Sequence, residues 1–143
     1  MRRGRGRTQG ILPVLVVGAL ALPLLLAGCS SQQSTKVACG RMTIAVEAIG
    51  NDLTAAEGTV VKDKVKGQKE FKAIATKFTA SESKISNTDV KPKADKIEAT
   101  LRQFVASLNN QVATPTSAHS KAVQKFSAQL QADLKDLGTV CPG

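Results

Sequence analysis

Between residues 36 and 138 the apolar positions recur every three or four residues and nowhere alternate, which is the periodicity of helices that bury one face. Cys39, Met42, Val46, Ile49 and Leu53 form the first stripe. A second runs through Val61, Val65, Phe71, Ile74, Phe78 and Ile85, interrupted by Gln68 and weakened as a helix at Gly67. Ala94, Ile97, Leu101, Phe104, Leu108 and Val112 make a third, and Val123, Phe126, Leu130, Leu134 and Leu137 a fourth. Gly58 is expected to end the first helix and the polar run Ser86-Asn87-Thr88-Asp89 the second. Asp89 is placed to cap the third helix, with Pro92 in its first turn, and Thr114-Pro115 to open the fourth, which Gly138 stops. Narrow stripes joined by short turns predict an all-α fold, an antiparallel up-down-up-down four-helix bundle.

Upstream of the stripes, Arg2, Arg3, Arg5 and Arg7 precede an apolar run at 11–26 that closes on small residues, the order of a secretory signal. The run holds 16 residues, including Pro13 and Pro23. As a helix it would cover about 24 Å, short of the roughly 30 Å core of a bilayer. The sequence that follows, Leu26-Ala27-Gly28-Cys29, resembles the lipobox of bacterial lipoproteins. That resemblance is confined to residues 1–29. It implies that the Cys29 thiol receives a diacylglyceryl group, that the chain is cut before it, and that the new N-terminus is acylated, typically with palmitate-like chains. Two or three such chains hold a protein to a membrane essentially permanently. The implied organisation is a removed signal peptide at 1–28, a lipidated cysteine with a polar tether at 29–37, and a bundle domain at 38–143. The mature protein would sit on the extracytoplasmic face of the cell membrane, linked to it by the lipid on Cys29.

With Cys29 committed to lipid, Cys39 and Cys141 remain as a pair in an oxidising compartment and are expected to form a disulfide that closes the bundle. Helix parity agrees. Helices of about 20 residues are about 30 Å long, so an even number of antiparallel helices is needed to bring the two ends within disulfide reach. A redox or metal-binding pair fits less well, because neither cysteine belongs to a C-x-x-C motif and no histidine lies near in sequence.

Composition sharpens this picture. The chain of 143 residues is 42% hydrophobic and 22% charged, which suits a single folded domain. Aromatics are 3%, with no Trp or Tyr, so stacking surfaces for bases or sugars are nearly absent. The formal charge of +9 falls to +5 once the four leader arginines are removed. Lys62, Lys64, Lys66, Lys69 and Lys72 form the densest cationic cluster, with Asp63 and Glu70 among them. Such a cluster is either a solvated helix face or a contact for an anionic envelope polymer, phospholipid headgroups or an envelope protein. Nucleic acid is a poor partner outside the cytoplasm.

Catalytic chemistry is sparse. His119 is the one histidine, and no G-x-S-x-G, E-x-x-H, C-x-x-C-H, P-loop or Rossmann pattern accompanies it. No metal or cofactor is called for, and the four Phe fall on the stripes as packing residues. The expected function is that of a non-enzymatic, lipid-anchored interaction or structural module of the bacterial cell envelope. The alternative is a carrier or sensor holding a small apolar ligand in the bundle, which would need an internal cavity of roughly 300 Å³ or more.

Overall fold

The computed structural model describes residues 32–142. Among the described residues the chain forms four helices and no strand: α1 Thr35–Lys62, α2 Lys64–Glu82, α3 Lys91–Ala113 and α4 Ser117–Leu137. The leader, the lipobox and Cys29 lie outside the described residues. Of the segment expected to tether the domain, residues from Thr35 onward are already helical, and Ser34 caps them by accepting a hydrogen bond from the Val37 amide. Gln32 and Gln33 are engaged as well. The Gln32 amide donates to Thr88 Oγ1, Gln33 donates to the Lys84 carbonyl, and Gln33 Oε1 accepts from the Ser86 amide.

Helix boundaries depart from expectation where local chemistry was outweighed. α1 runs through Gly58 and ends four residues later, since an exposed glycine costs a helix only about 1 kcal/mol and Ala56 and Val60 pack on either side of it. The break falls at Asp63, whose amide bonds the Thr59 carbonyl while its carboxylate accepts from the Lys66 amide, so one residue ends α1 and caps α2. Val61 and Val65 flank that corner and are exposed, not part of the core. Asp89 does not cap α3. The N-cap of α3 is Val90, which makes no side-chain capping bond; buried Asn87 instead holds the turn that leads into the helix, its Oδ1 accepting from the Asp89 and Val90 amides while its Nδ2 donates to the Gln33 carbonyl and Thr35 Oγ1. The fourth helix is capped by Thr116, two residues beyond the expected Thr114, which instead closes α3. Gly138 does end α4, in right-handed backbone geometry.

Close packing joins α1 to α2, α2 to α3 and α3 to α4, with no comparable α1–α4 contact. The core is built from Met42 and Ile49 of α1, Phe71, Ile74 and Phe78 of α2, and Ile97, Leu101 and Val105 of α3, with Ile85 and Val90 from the loop between α2 and α3. The stripe of α3 is rotated slightly from the expected one, so Val105 is buried and Phe104 only half-buried. On α4 only Leu137 of the expected stripe is fully buried, and Val123, Phe126, Leu130 and Leu134 are half-buried. A disulfide between Cys39 and Cys141, with Cα atoms 5.4 Å apart, links the start of α1 to the chain just beyond α4.

Two glycines with opposite environments give a direct test of the α1–α2 corner. At Gly67 a Cβ would lie 2.2 Å from Val60 Cγ2 and 2.8 Å from the Val60 Cα and backbone nitrogen, so backbone must move to admit it. Gly58 has open space around the same position. Gly67→Ala is therefore expected to destabilise the protein by about 1 to 3 kcal/mol. Gly58→Ala should stabilise it by about 0.5 to 1 kcal/mol. Urea denaturation of both variants checks the pair.

Candidate functional site

Charge is distributed unevenly over the bundle. Lys77, Lys91, Lys93, Lys96 and Arg102 each pair with a carboxylate: Lys77 with Asp52, Lys91 with Glu82 and Asp95, Lys93 with Asp136, Lys96 with Asp133 and Arg102 with Glu98. None of Lys62, Lys64, Lys66, Lys69 and Lys72 enters an ion pair among the described residues. The structure brings these five together around the α1–α2 corner: Lys62 is the last residue of α1, and the others occupy the opening turns of α2. All five are exposed, and Asp63 between them is occupied in capping α2. Exposed Val61 and Val65 add apolar surface to the same corner. The corner is thus a cationic surface with uncommitted ammonium groups, able to attract anions over a range set by salt.

His119 serves the neighbouring turn. Its amide donates to Thr116 Oγ1 and its Nδ1 lies 2.7 Å from the Thr114 carbonyl oxygen, which fixes that nitrogen as the protonated one in the neutral ring. Cys39 and Cys141 are joined to each other, so neither offers a thiol. Among the described residues no group of three His, Cys, Asp or Glu side chains is arranged to hold a metal ion.

Two carboxylates, Asp133 and Glu82, are buried, which residue spacing did not reveal. Asp133 is fully enclosed between α3 and α4, accepting from Thr100 Oγ1 at 2.6 Å, Gln129 Nε2 at 2.9 Å and Lys96 Nζ at 3.0 Å. Burial pushes its pKa up, but the bonds from Thr100, Lys96 and Gln129 together prevail and hold it below the usual carboxylate value. Glu82, at the end of α2, shares Lys91 with Asp95. Burial and the hydrogen bond with Asp95 raise its pKa against the opposing pull of Lys91. The signal for Asp133 was its position between Leu130 and Leu137 on an apolar face, where an acid is out of place.

The lowered pKa of Asp133 sets a pH dependence. Its stabilising contribution is complete above the unfolded carboxylate pKa of about 3.9 and is lost as pH falls through the lower folded value. Asp133→Asn is expected to cost about 1 to 3 kcal/mol at neutral pH. It should also flatten the fall in melting temperature below about pH 4 relative to the parent. Thermal melts from neutral pH into acid would show both effects.

The chain matches no protein-family model and is significantly similar to no curated protein and no solved structure.

Proposed function

We propose that this chain is a non-enzymatic, lipid-anchored helical module on the extracytoplasmic face of a bacterial cell membrane, which holds an anionic envelope polymer at the end of the bundle remote from its anchor. The proposed arrangement is up-down-up-down with neighbouring helices antiparallel. In support, contacts that climb one helix descend the next: Arg41 of α1 meets Lys84 just beyond α2, Asp52 meets Lys77 across α1 and α2, and Gln68 meets Asn109 and Thr79 meets Glu98 across α2 and α3. Lipid on Cys29 would then lie at the Ser34 end of α1. The 28 residues of α1 carry the lysine corner about 40 Å from that end.

The unpaired lysines of the corner are the observation that carries this reading: five exposed cations lie close together in the chain and none enters an ion pair among the described residues, whereas Lys77 of α2 and Lys91, Lys93, Lys96 and Arg102 of α3 are each held by a carboxylate. A short sedimentation experiment tests it. The full chain should bind isolated bacterial cell walls and be released by salt, and a variant with Lys62, Lys64, Lys66 and Lys69 all changed to Gln should bind about tenfold less. Equal binding by both proteins would refute the role of the corner. For the anchor, Cys29→Ala is expected to move the protein from the membrane fraction into an uncleaved precursor or a shed form. A cleaved variant still tightly held by membranes would exclude the lipid attachment.

A further inference from the structure

Beside the lysine corner a groove of about 510 Å³ runs between α2 and α3. Its walls carry Gln68, Lys72 and Thr76 from α2 and Arg102, Asn109 and Asn110 from α3, over a floor of small residues, and no carboxylate lines it. Lys72 has no ion-pair partner among the described residues. Arg102 donates from Nε to Glu98 at 2.7 Å and from one terminal nitrogen to Thr79 Oγ1 at 2.8 Å, which leaves further guanidinium N–H groups for an anion. Asn109 accepts the Gln68 amide at its backbone carbonyl, while its side-chain Oδ1 is buried with no donor. A buried acceptor without a donor is rare in a folded protein, and here it lies beneath the groove wall, on a residue whose outer surface lines the groove.

We infer that the α2–α3 groove binds a polyol phosphate, with the phosphate between Lys72 and Arg102 and the neighbouring hydroxyls against the polar wall that Gln68, Thr76, Asn109 and Asn110 provide. Two cations supply the recognition of the phosphate, of which arginine is the geometrically selective one. The amide and hydroxyl groups of Gln68, Thr76 and Asn110 suit a flexible hydroxylated chain. Bases and neutral sugars would lack the aromatic faces they stack on, and an apolar ligand would have to desolvate both cations. Polyol phosphates occur as repeat units of soluble or wall-bound polymers and as the headgroup of an anionic glycerophospholipid. The inference rests on the proposed function in that it names the chemistry of the anionic polymer, but its residues are separable from the corner, Lys72 excepted.

Calorimetric titration of the full chain with a synthetic glycerol-phosphate trimer, at an ionic strength of about 0.15 M, tests the groove. The expected result is saturable binding at one site, about tenfold tighter than inorganic phosphate. Asn109→Asp, which keeps the side chain's shape and adds a like charge, should weaken the trimer about tenfold, as should Lys72→Gln. Lys72→Gln, at an exposed position, should keep the parent's melting temperature within a few degrees, so that its loss of affinity reads the groove even where Asn109→Asp, with a carboxylate oxygen at a buried position, lowers stability. The variant lacking Lys62, Lys64, Lys66 and Lys69 should bind the trimer as the parent does, so that loss of wall binding with retained trimer binding separates the two sites. A parallel arm with phosphatidylglycerol vesicles assigns the source: vesicle binding sensitive to Asn109→Asp supports a lipid headgroup, and trimer binding without vesicle binding supports a polymer. Indifference of trimer affinity to Asn109→Asp and Lys72→Gln, or equal affinity for inorganic phosphate, overturns the inference.

Discussion

Phe71→Ala is expected to destabilise the protein by about 3 to 5 kcal/mol, which is a large share of the total stability of a domain this size. The ring is 2% exposed and lies on α2 between two points where that helix meets α1, Gly67 against Val60 and Lys77 against Asp52. On α1, the fully enclosed Ala56 falls between the same two points. An alanine at 71 would therefore face another alanine, and the backbones on either side, held by close contacts, cannot collapse far enough to fill the space. The melting temperature should fall by roughly 10 to 20 °C. Phe126→Ala offers the control on the same chemistry: its ring is half-buried and covered on one side by Lys125, whose ammonium sits 5.3 Å from the ring centroid. Its loss should cost about 1 kcal/mol. Similar losses at both positions would mean that α4 packs more deeply than its exposure indicates.

That contrast also marks how far the fold was legible from residue spacing. The intervals of three and four identified every helix, and the cysteine pair was expected on the reading that Cys29 carries lipid and that the domain lies in an oxidising compartment. Spacing alone assigns a face without saying how deeply each position on it is covered. All five residues of the α4 stripe have the same periodicity, yet α1 does not close over that side, so four of them stay half-buried. Helix ends were harder still, because they are decided by competition among neighbouring candidates. Gly58 lost to Asp63, Asp89 to Asn87 and Thr114 to Thr116, in each case to a residue whose side chain finds an amide or whose position suits the packing. The lysine corner was visible as a run of charge, but its uncommitted state was not, since pairing elsewhere depends on partners up to 43 residues away. The groove beside it joins residues of two helices and left no local signature at all.

Removing the Cys39–Cys141 bond is expected to be the other large loss, because the bridge acts on both states of the chain. It spans a sequence separation of 102, and for a loop of that length the chain-entropy model gives about 4 to 5 kcal/mol of constraint on the unfolded ensemble. In the folded state its effect is local. The α1–α4 pair lacks the close packing found at the three sequential pairs, and a groove of about 260 Å³ separates Thr43, Val46 and Glu47 from Leu134 and Leu137 beside the bridge. With few other contacts across that seam, the covalent link is what ties the end of α4 to the start of α1. The double variant Cys39→Ser, Cys141→Ser should thus remain helical, because the α1–α2, α2–α3 and α3–α4 contacts are independent of the bond, while its melting temperature falls by roughly 10 to 20 °C. Amide exchange should quicken first at 134–141 and leave α2 protected, since local opening takes the elements with fewest buried contacts. Uniform acceleration across all four helices would show that the bridge stabilises through the unfolded chain alone and that the α1–α4 seam is held by packing after all.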